Sequence, residues 1–178
     1  WDTQWLYVDA GFTTVLFASL YEIEPPVRWR NACKEIMNDL VTRLYLGQGR
    51  LSSAWMWPGR HGRAVFARGY AWFLDGLIHS YECTQSERFI HIATECAEFL
   101  ILQQKRDGSW DYLCDDAGSG ACNKGTPAIA LQLLRLYRHT AISEYQSRAR
   151  QALDWCALNQ YTGTDENAYG GIVAWNRE

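Results

Sequence analysis

Three times along the chain a tyrosine is followed eight positions later by a second aromatic residue: Tyr21 and Trp29, Tyr81 and Phe89, Tyr137 and Tyr145. The same columns recur behind each second aromatic. Cys33, Ala93 and Ala149 stand at plus four, Ile36, Cys96 and Ala152 at plus seven, and Leu40, Leu100 and Cys156 at plus eleven. These offsets trace one face of a helix. The tyrosines lie 60 and 56 residues apart. That period fits one antiparallel helix pair per repeat, in which neither helix buries its apolar face without a neighbouring repeat. The expectation is an all-α fold of three helical hairpins, with function sought where the repeats converge.

Breaks in the apolar periodicity divide the chain into repeats of about 9–60, 61–122 and 123–178 within one domain, a size long enough for a substantial core. In the first repeat a helix from about Ala10 to Glu22 meets Glu24-Pro25-Pro26, and a second runs from about Val27 to Leu44. In the second, helices are expected from about Ala64 to Glu82 and from Glu87 to Gln104, with Thr84 or Ser86 as cap between them. The third holds helices from about Pro127 to His139 and from Ser143 to Asn159. Each second helix leads into a glycine-rich loop with an aromatic: Gly47-Gln48-Gly49 with Trp55, Asp107-Gly108-Ser109-Trp110, and Tyr169-Gly170-Gly171 with Trp175. Glycine in these loops supplies the positive φ that ends a helix.

Composition narrows the partners. A net charge of −3 with interspersed signs gives no electrostatic case for nucleic acid or an anionic membrane. No apolar run approaches the roughly 18 residues that span a bilayer. The chain begins at Trp1 rather than Met, so the absence of a visible signal peptide says nothing about export, and the compartment stays open. Nine Trp and ten Tyr exceed what helix packing alone requires, and flat faces with one polar edge suit sugar rings or bases. Of the six cysteines, Cys33, Cys83, Cys96 and Cys156 fall within expected helices and read as small buried hydrophobes. Cys114 and Cys122 flank a loop and can close a disulfide in an oxidising compartment; a metal site using Asp115 and Asp116 is the weaker alternative, because no histidine completes a zinc spacing.

The first helix of the second repeat carries Arg68, Trp72, Asp75 and His79 at spacings of four, three and four, one helical stripe. Guanidinium, indole, carboxylate and imidazole in one row suit a polar substrate. The competing reading is mutual satisfaction, for which Asp75 and His79 have the i,i+4 spacing and Arg68 and Asp75 do not. Each first helix also starts beside a glycine and a polar residue: Asp9 with Gly11, Arg68 with Gly69, and Lys124 with Gly125.

Phe66-Ala67-Arg68-Gly69-Tyr70-Ala71-Trp72, followed by Leu77 and Tyr81-Glu82-Cys83-Thr84, resembles the W-A-R-G-x-x-W … Y … T stretch of the unsaturated glucuronyl and rhamnogalacturonyl hydrolases. Asp9-Ala10-Gly11-Phe12 is similar to their D-x-G-F opening of an inner helix. Thr126-Pro127-Ala128-Ile129-Ala130 with Leu133 and Leu134 resembles their S-A-A-A-I-A … L-L helix. The resemblance implies an α/α toroid whose first helices form the inner ring, here three hairpins and hence half of an (α/α)6 barrel. It implies removal of an unsaturated uronic acid from an oligosaccharide end. In that chemistry an aspartate protonates the enol-ether double bond, water adds, and the hemiketal collapses to release the sugar, without metal or cofactor. Arg68 would hold the substrate carboxylate and Trp72 would stack on the sugar, with His61, His79, Trp110 and Lys124 completing the binding set.

The chain departs from that pattern in two places. Arg60-His61-Gly62-Arg63-Ala64-Val65-Phe66 lacks the aspartate that precedes the Arg-Gly pair, and Asn123-Lys124 replaces the one at the start of the third inner helix. Asp9 is then the best remaining acid, with Asp111 and Asp75 next. Missing acids beside retained Arg68, Trp72 and Trp110 are also what a non-catalytic carbohydrate-binding or scaffold module would show. Ala93 to Trp110 further resembles the structural QW repeat of terpenoid cyclases, in which Gln and Trp tie a helix end to the next loop, and a sugar-epimerase reading would rest on His61 and His79. Three hairpins leave open edges at Leu16, Leu20, Leu131 and Leu134, an apolar patch that predicts a homodimer or association with the other half of a ring.

Overall fold

A computed structural model describes residues 10–52, 65–114, 118–167 and 169–172. The described residues form six α-helices, α1 (Ala10–Ile23), α2 (Val27–Leu44), α3 (Ala67–Thr84), α4 (Glu87–Gln103), α5 (Gly125–Thr140) and α6 (Ser143–Leu158), and one short hairpin, β1 (Tyr45–Gly47) with β2 (Arg50–Leu51). The boundaries of α2 coincide with those the sequence predicts, and the others lie within a few residues. Pro26 takes the N-cap of α2 with extended backbone, as a residue lacking an N–H can. Ser86 caps α4 by position, but its side chain makes no capping bond. Thr84 donates instead to the Ser80 carbonyl.

The helices form two layers. α1, α3 and α5 lie side by side as the inner layer, and α2, α4 and α6 each pack against the inner helix of their own hairpin. The repeat columns are the cement between the layers: Cys33, Ala93 and Ala149 are completely buried, as are Cys96, Ala152 and Leu100. Small residues at plus four in all three repeats, and at plus seven in α4 and α6, let the outer helices approach their inner partners closely, while Phe89 and Tyr145 fill the space at the hairpin turn. α1 and α3 cross at glycines. A Cβ on Gly11 would overlap the carbonyl oxygen of Trp72, and one on Gly76 would stand 3.3 Å from the Gly11 Cα. The chain is thus an all-α arc of three hairpins, half of an α/α toroid.

One expectation about helix ends needs correction. The outer helices do not end on left-handed glycine: their C-caps are Tyr45, Gln104 and Asn159, all with negative φ. The left-handed caps belong to α3 and α5, at Gln85 and Ala141. The loop glycines act later, turning the chain at Gly47, Gly49, Gly108 and Gly170, all at positive φ. The bridge between Cys114 and Cys122 is also not formed. Cys122 is a buried free thiol, and its sulfur accepts the Gly125 backbone N–H at 3.1 Å at the start of α5. Asp115 and Asp116 lie outside the described residues, as do Trp55 and Trp175.

Candidate functional site

The loop that follows α4 runs beneath the N-terminal ends of α3 and α5. Ala67 N–H donates to the Tyr112 carbonyl, Cys114 N–H to the Val65 carbonyl, and Trp110 N–H to the Thr126 hydroxyl. Gly125 sits with its hypothetical Cβ 2.6 Å from that of Ala67 and 3.0 Å from the Arg68 nitrogen. This contact aligns the first turns of α3 and α5 and brings exposed Lys124 alongside the start of α3.

Arg68 and Trp72 form the open end of the stripe. The Arg68 guanidinium lies 5.2 Å over the Trp72 ring, a cation–π arrangement. Its Nε is buried without a hydrogen-bond partner. Trp72 also meets Phe12 of α1, with centroids 4.9 Å apart and planes tilted by 54°. Phe12 is 48% exposed, so α1 and α3 together present a two-ring surface beside a fixed cation. Sequence reading placed Phe12 in a motif without giving it a role. The signal was Gly11 beside it, which sets α1 close enough for the two rings to meet.

The lower half of the stripe is differently employed. Asp75 Oδ1 accepts from Arg135 of α5 at 2.5 Å and lies 3.2 Å from His79 Nδ1. That nitrogen is also 2.9 Å from the Asp75 carbonyl oxygen. A carbonyl only accepts, so Nδ1 carries a proton, and its 3.3 Å approach to Arg135 is proximity rather than a hydrogen bond. Burial disfavours the imidazolium, but the side-chain bond, the carbonyl and the charge of Asp75 outweigh burial and Arg135, raising the His79 pKa above its ordinary value. Asp75, His79 and Arg135 therefore tie α3 to α5. A second tie, His139 to Glu82 at 2.8 Å, stands at the other end of the same pair. The expected i,i+4 contact is present, and Arg135, which sequence reading missed, joins it from 60 residues away, where no local spacing rule reaches.

The remaining expected residues divide in the same way. Trp110 is corrected from ligand contact to core: it is completely buried, and its indole N–H donates to the Leu100 carbonyl at 2.7 Å. Gln104 donates to the carbonyls of Gly108 and of Arg148 in α6, so Gln and Trp together lock the end of α4 to its loop and to the next repeat. Asp111 has both oxygens engaged, Oδ1 by Lys105 at 3.1 Å and Oδ2 by the Gly118 N–H at 3.0 Å. It braces the loop. Asp9 and His61 lie outside the described residues. Among the described residues no group of three His, Cys, Asp or Glu side chains is arranged to hold a metal ion, and no helix is long and apolar enough to cross a membrane. A cavity of about 360 Å³ between α4 and α6, lined by Glu98, Ile101, Leu102, Ile142, Glu144 and Arg148 among others, belongs to the outer layer and includes none of the stripe.

No protein-family model matches the chain, and no curated protein does. Solved structures match strongly. The unsaturated glucuronyl hydrolase from Bacillus sp. GL1, described as responsible for glycosaminoglycan degradation, superposes with a TM-score of 0.77 at 13% identity, over 93% of this chain and 49% of its own. An unsaturated glucuronyl hydrolase specific for heparin gives 0.77 at 18% identity, over 92% and 48%. A GH76 α-mannanase from Bacteroides thetaiotaomicron gives 0.73 at 13% identity, over 88% and 45%. The chain has the fold of the six-hairpin toroid glycosidases and spans about half the length of these structures. At such identities the likeness is one of fold.

Proposed function

We propose that the protein is a carbohydrate-active chain of the glycoside hydrolase kind, acting on oligosaccharides that end in an unsaturated uronic acid. The observation that carries this reading is the pairing of Arg68 with Trp72 at the start of an inner helix. The guanidinium is held over an indole with its Nε unpartnered, and Phe12 extends the aromatic surface. A cation beside a flat apolar surface is complementary to an acidic sugar: the ring stacks on Trp72 and Phe12, and the carboxylate pairs with Arg68. Lys124 adds positive charge from the neighbouring helix start. The resemblance of the Arg-Gly-x-x-Trp segment to the glucuronyl hydrolases supports the same substrate class.

For catalysis a carboxyl group must deliver a proton to the enol-ether double bond and then assist the attack of water. Asp111 is committed to Lys105 and Gly118, and Asp75 to Arg135 and His79. Asp9 is the acid we assign. It stands two residues before Gly11, which abuts the Trp72 backbone. His79 then serves packing rather than substrate. The commitment of both described candidate acids also favours a second reading, a binding module that recognises acidic sugar without turning it over.

One assay separates the two. An unsaturated uronide disaccharide loses its ultraviolet absorbance when the double bond is consumed. The expected outcome is steady loss with the wild type and none with Asp9→Asn. Binding without loss by the wild type would replace the enzyme with the module, and full turnover by Asp9→Asn would remove Asp9 from the mechanism.

A further inference from the structure

The loops that leave the outer helices dock on the next outer helix by one repeated contact. Gly49, at φ +73°, lies so close to α4 that a Cβ would overlap the Glu95 carbonyl oxygen. Gly108, at φ +93°, meets the Gln151 carbonyl of α6 in the same way. Glu95 and Gln151 are equivalent, each six residues past the second aromatic of its repeat, Phe89 or Tyr145. At the first contact the Tyr45 hydroxyl also donates to the Glu95 carboxylate.

The third loop has the same construction, and none of the described helices lies on it. Lys105 N–H donates to the Ser109 carbonyl and Gly108 N–H to the Lys105 carbonyl; correspondingly Tyr161 N–H donates to the Gly171 carbonyl and Gly170 N–H to the Tyr161 carbonyl. Gly170 is thus the counterpart of Gly108. Its φ is +80°, and among the described residues nothing lies within 4 Å of where its Cβ would be. The helix face that would complete the contact is present at the other end of the arc. Six residues past Trp29, in the register of Glu95, α2 carries the exposed Glu35. Tyr161, sixteen residues past Tyr145, stands where Tyr45 stands past Trp29.

We infer that Gly170 and Tyr161 dock on α2 around Glu35 of the partner subunit in a second copy of this chain, with Tyr161 donating to that glutamate as Tyr45 donates to Glu95. The occupant is a second copy because one chain carries both unmatched halves of the contact, tyrosine and glycine on the loop and glutamate on α2. Two three-hairpin arcs related by a twofold axis make this contact twice and close a six-hairpin ring, so no edge is left over. The apolar side chains at the two edges fit that closure: Leu158 is 85% and Tyr169 68% exposed at one, and Leu16 is 55% exposed at the other.

Light scattering on the purified chain tests this, with a mass of twice 20.5 kDa expected. Gly170→Asn places a side chain that tolerates positive φ where the partner helix would lie, and Glu35→Lys removes the acceptor from an exposed helix face. Each is expected to weaken dimerisation at least tenfold with the helical circular dichroism unchanged, whereas Gly118→Asn, at another open positive-φ glycine, leaves the dimer intact. Mixing Gly170→Asn with Glu35→Lys chains should restore dimer, because the mixed pair gathers both lesions into one contact and leaves the other whole. A wild-type monomer, or a dimer indifferent to both substitutions, overturns the inference. It is independent of the sugar chemistry: an inactive ring sinks only the glycosidase reading, and an active monomer sinks only this one.

Discussion

Trp72 and Trp110 make the same chemical offer and are put to opposite uses. Trp72 is half-buried at the start of an inner helix, with a cation over its ring and the ring of Phe12 beside it. Trp110 sits in the loop just below, without exposed surface, the one polar atom of its side chain donating to the Leu100 carbonyl. The carboxylates and bases divide along the same line. Asp75, His79, Asp111 and Arg135 spend their hydrogen bonds on other parts of the chain, whereas Arg68 keeps its buried Nε unpartnered. A polar group whose partners are all internal is part of the frame. A partly exposed aromatic pair beside a guanidinium whose Nε has no partner is where a ligand has something to gain.

Substitution should separate frame from mouth. Trp110→Ala is expected to cost the most, about 3–5 kcal/mol of stability, the usual loss for truncating a fully buried large aromatic. Thermal unfolding measures it, and an unchanged melting temperature would return Trp110 to the mouth. Asp75→Ala should cost about 1–3 kcal/mol, because it leaves Arg135 without its acceptor between α3 and α5 and takes the carboxylate away from His79. If stability holds and only sugar binding falls, Asp75 belongs with Arg68.

Arg68→Ala should change stability by no more than about 0.5 kcal/mol, yet weaken an acidic oligosaccharide about tenfold, roughly 1.4 kcal/mol. A neutral oligosaccharide should be affected less, and titration calorimetry with the matched pair decides it; equal losses would remove the carboxylate from the role of Arg68. The smallest effect concerns pH. Because the His79 pKa is raised by folding, its pairing with Asp75 stabilises fully below the ordinary imidazole pKa and is lost as pH rises through the raised value. Denaturant midpoints measured across that window should fall for the wild type, and His79→Gln should flatten the profile. An unaltered profile would detach His79 from the frame.

Periodicity made the helices legible because it is a local property repeated three times. The plus-four, plus-seven and plus-eleven columns predict buried faces, and Cys33, Ala93 and Ala149 occupy them without exposed surface. The Arg-Gly-x-x-Trp segment was legible for the same reason, since Arg68 and Trp72 are one helical turn apart. Arg135 was not, because its contact with Asp75 depends on how far two parallel helices are staggered, which no spacing within either helix records. Phe12 joined Trp72 only through the glycine crossing of α1 and α3. The glycine-rich loops were read as helix stops, yet the helices end before them, and Gly49 and Gly108 are there for close approach to a neighbouring helix.

By itself, then, the sequence determined three hairpins, their helix limits, their buried columns and a polar stripe on α3, because each follows from the order of side chains around a helix. Only the tertiary structure decided which members of the stripe are spent on holding helices together and which remain open. It also decided that Trp110 is core and that none of the described helices lies against Gly170. Those outcomes depend on the distance and stagger between helices, which are set by the packing of the whole arc.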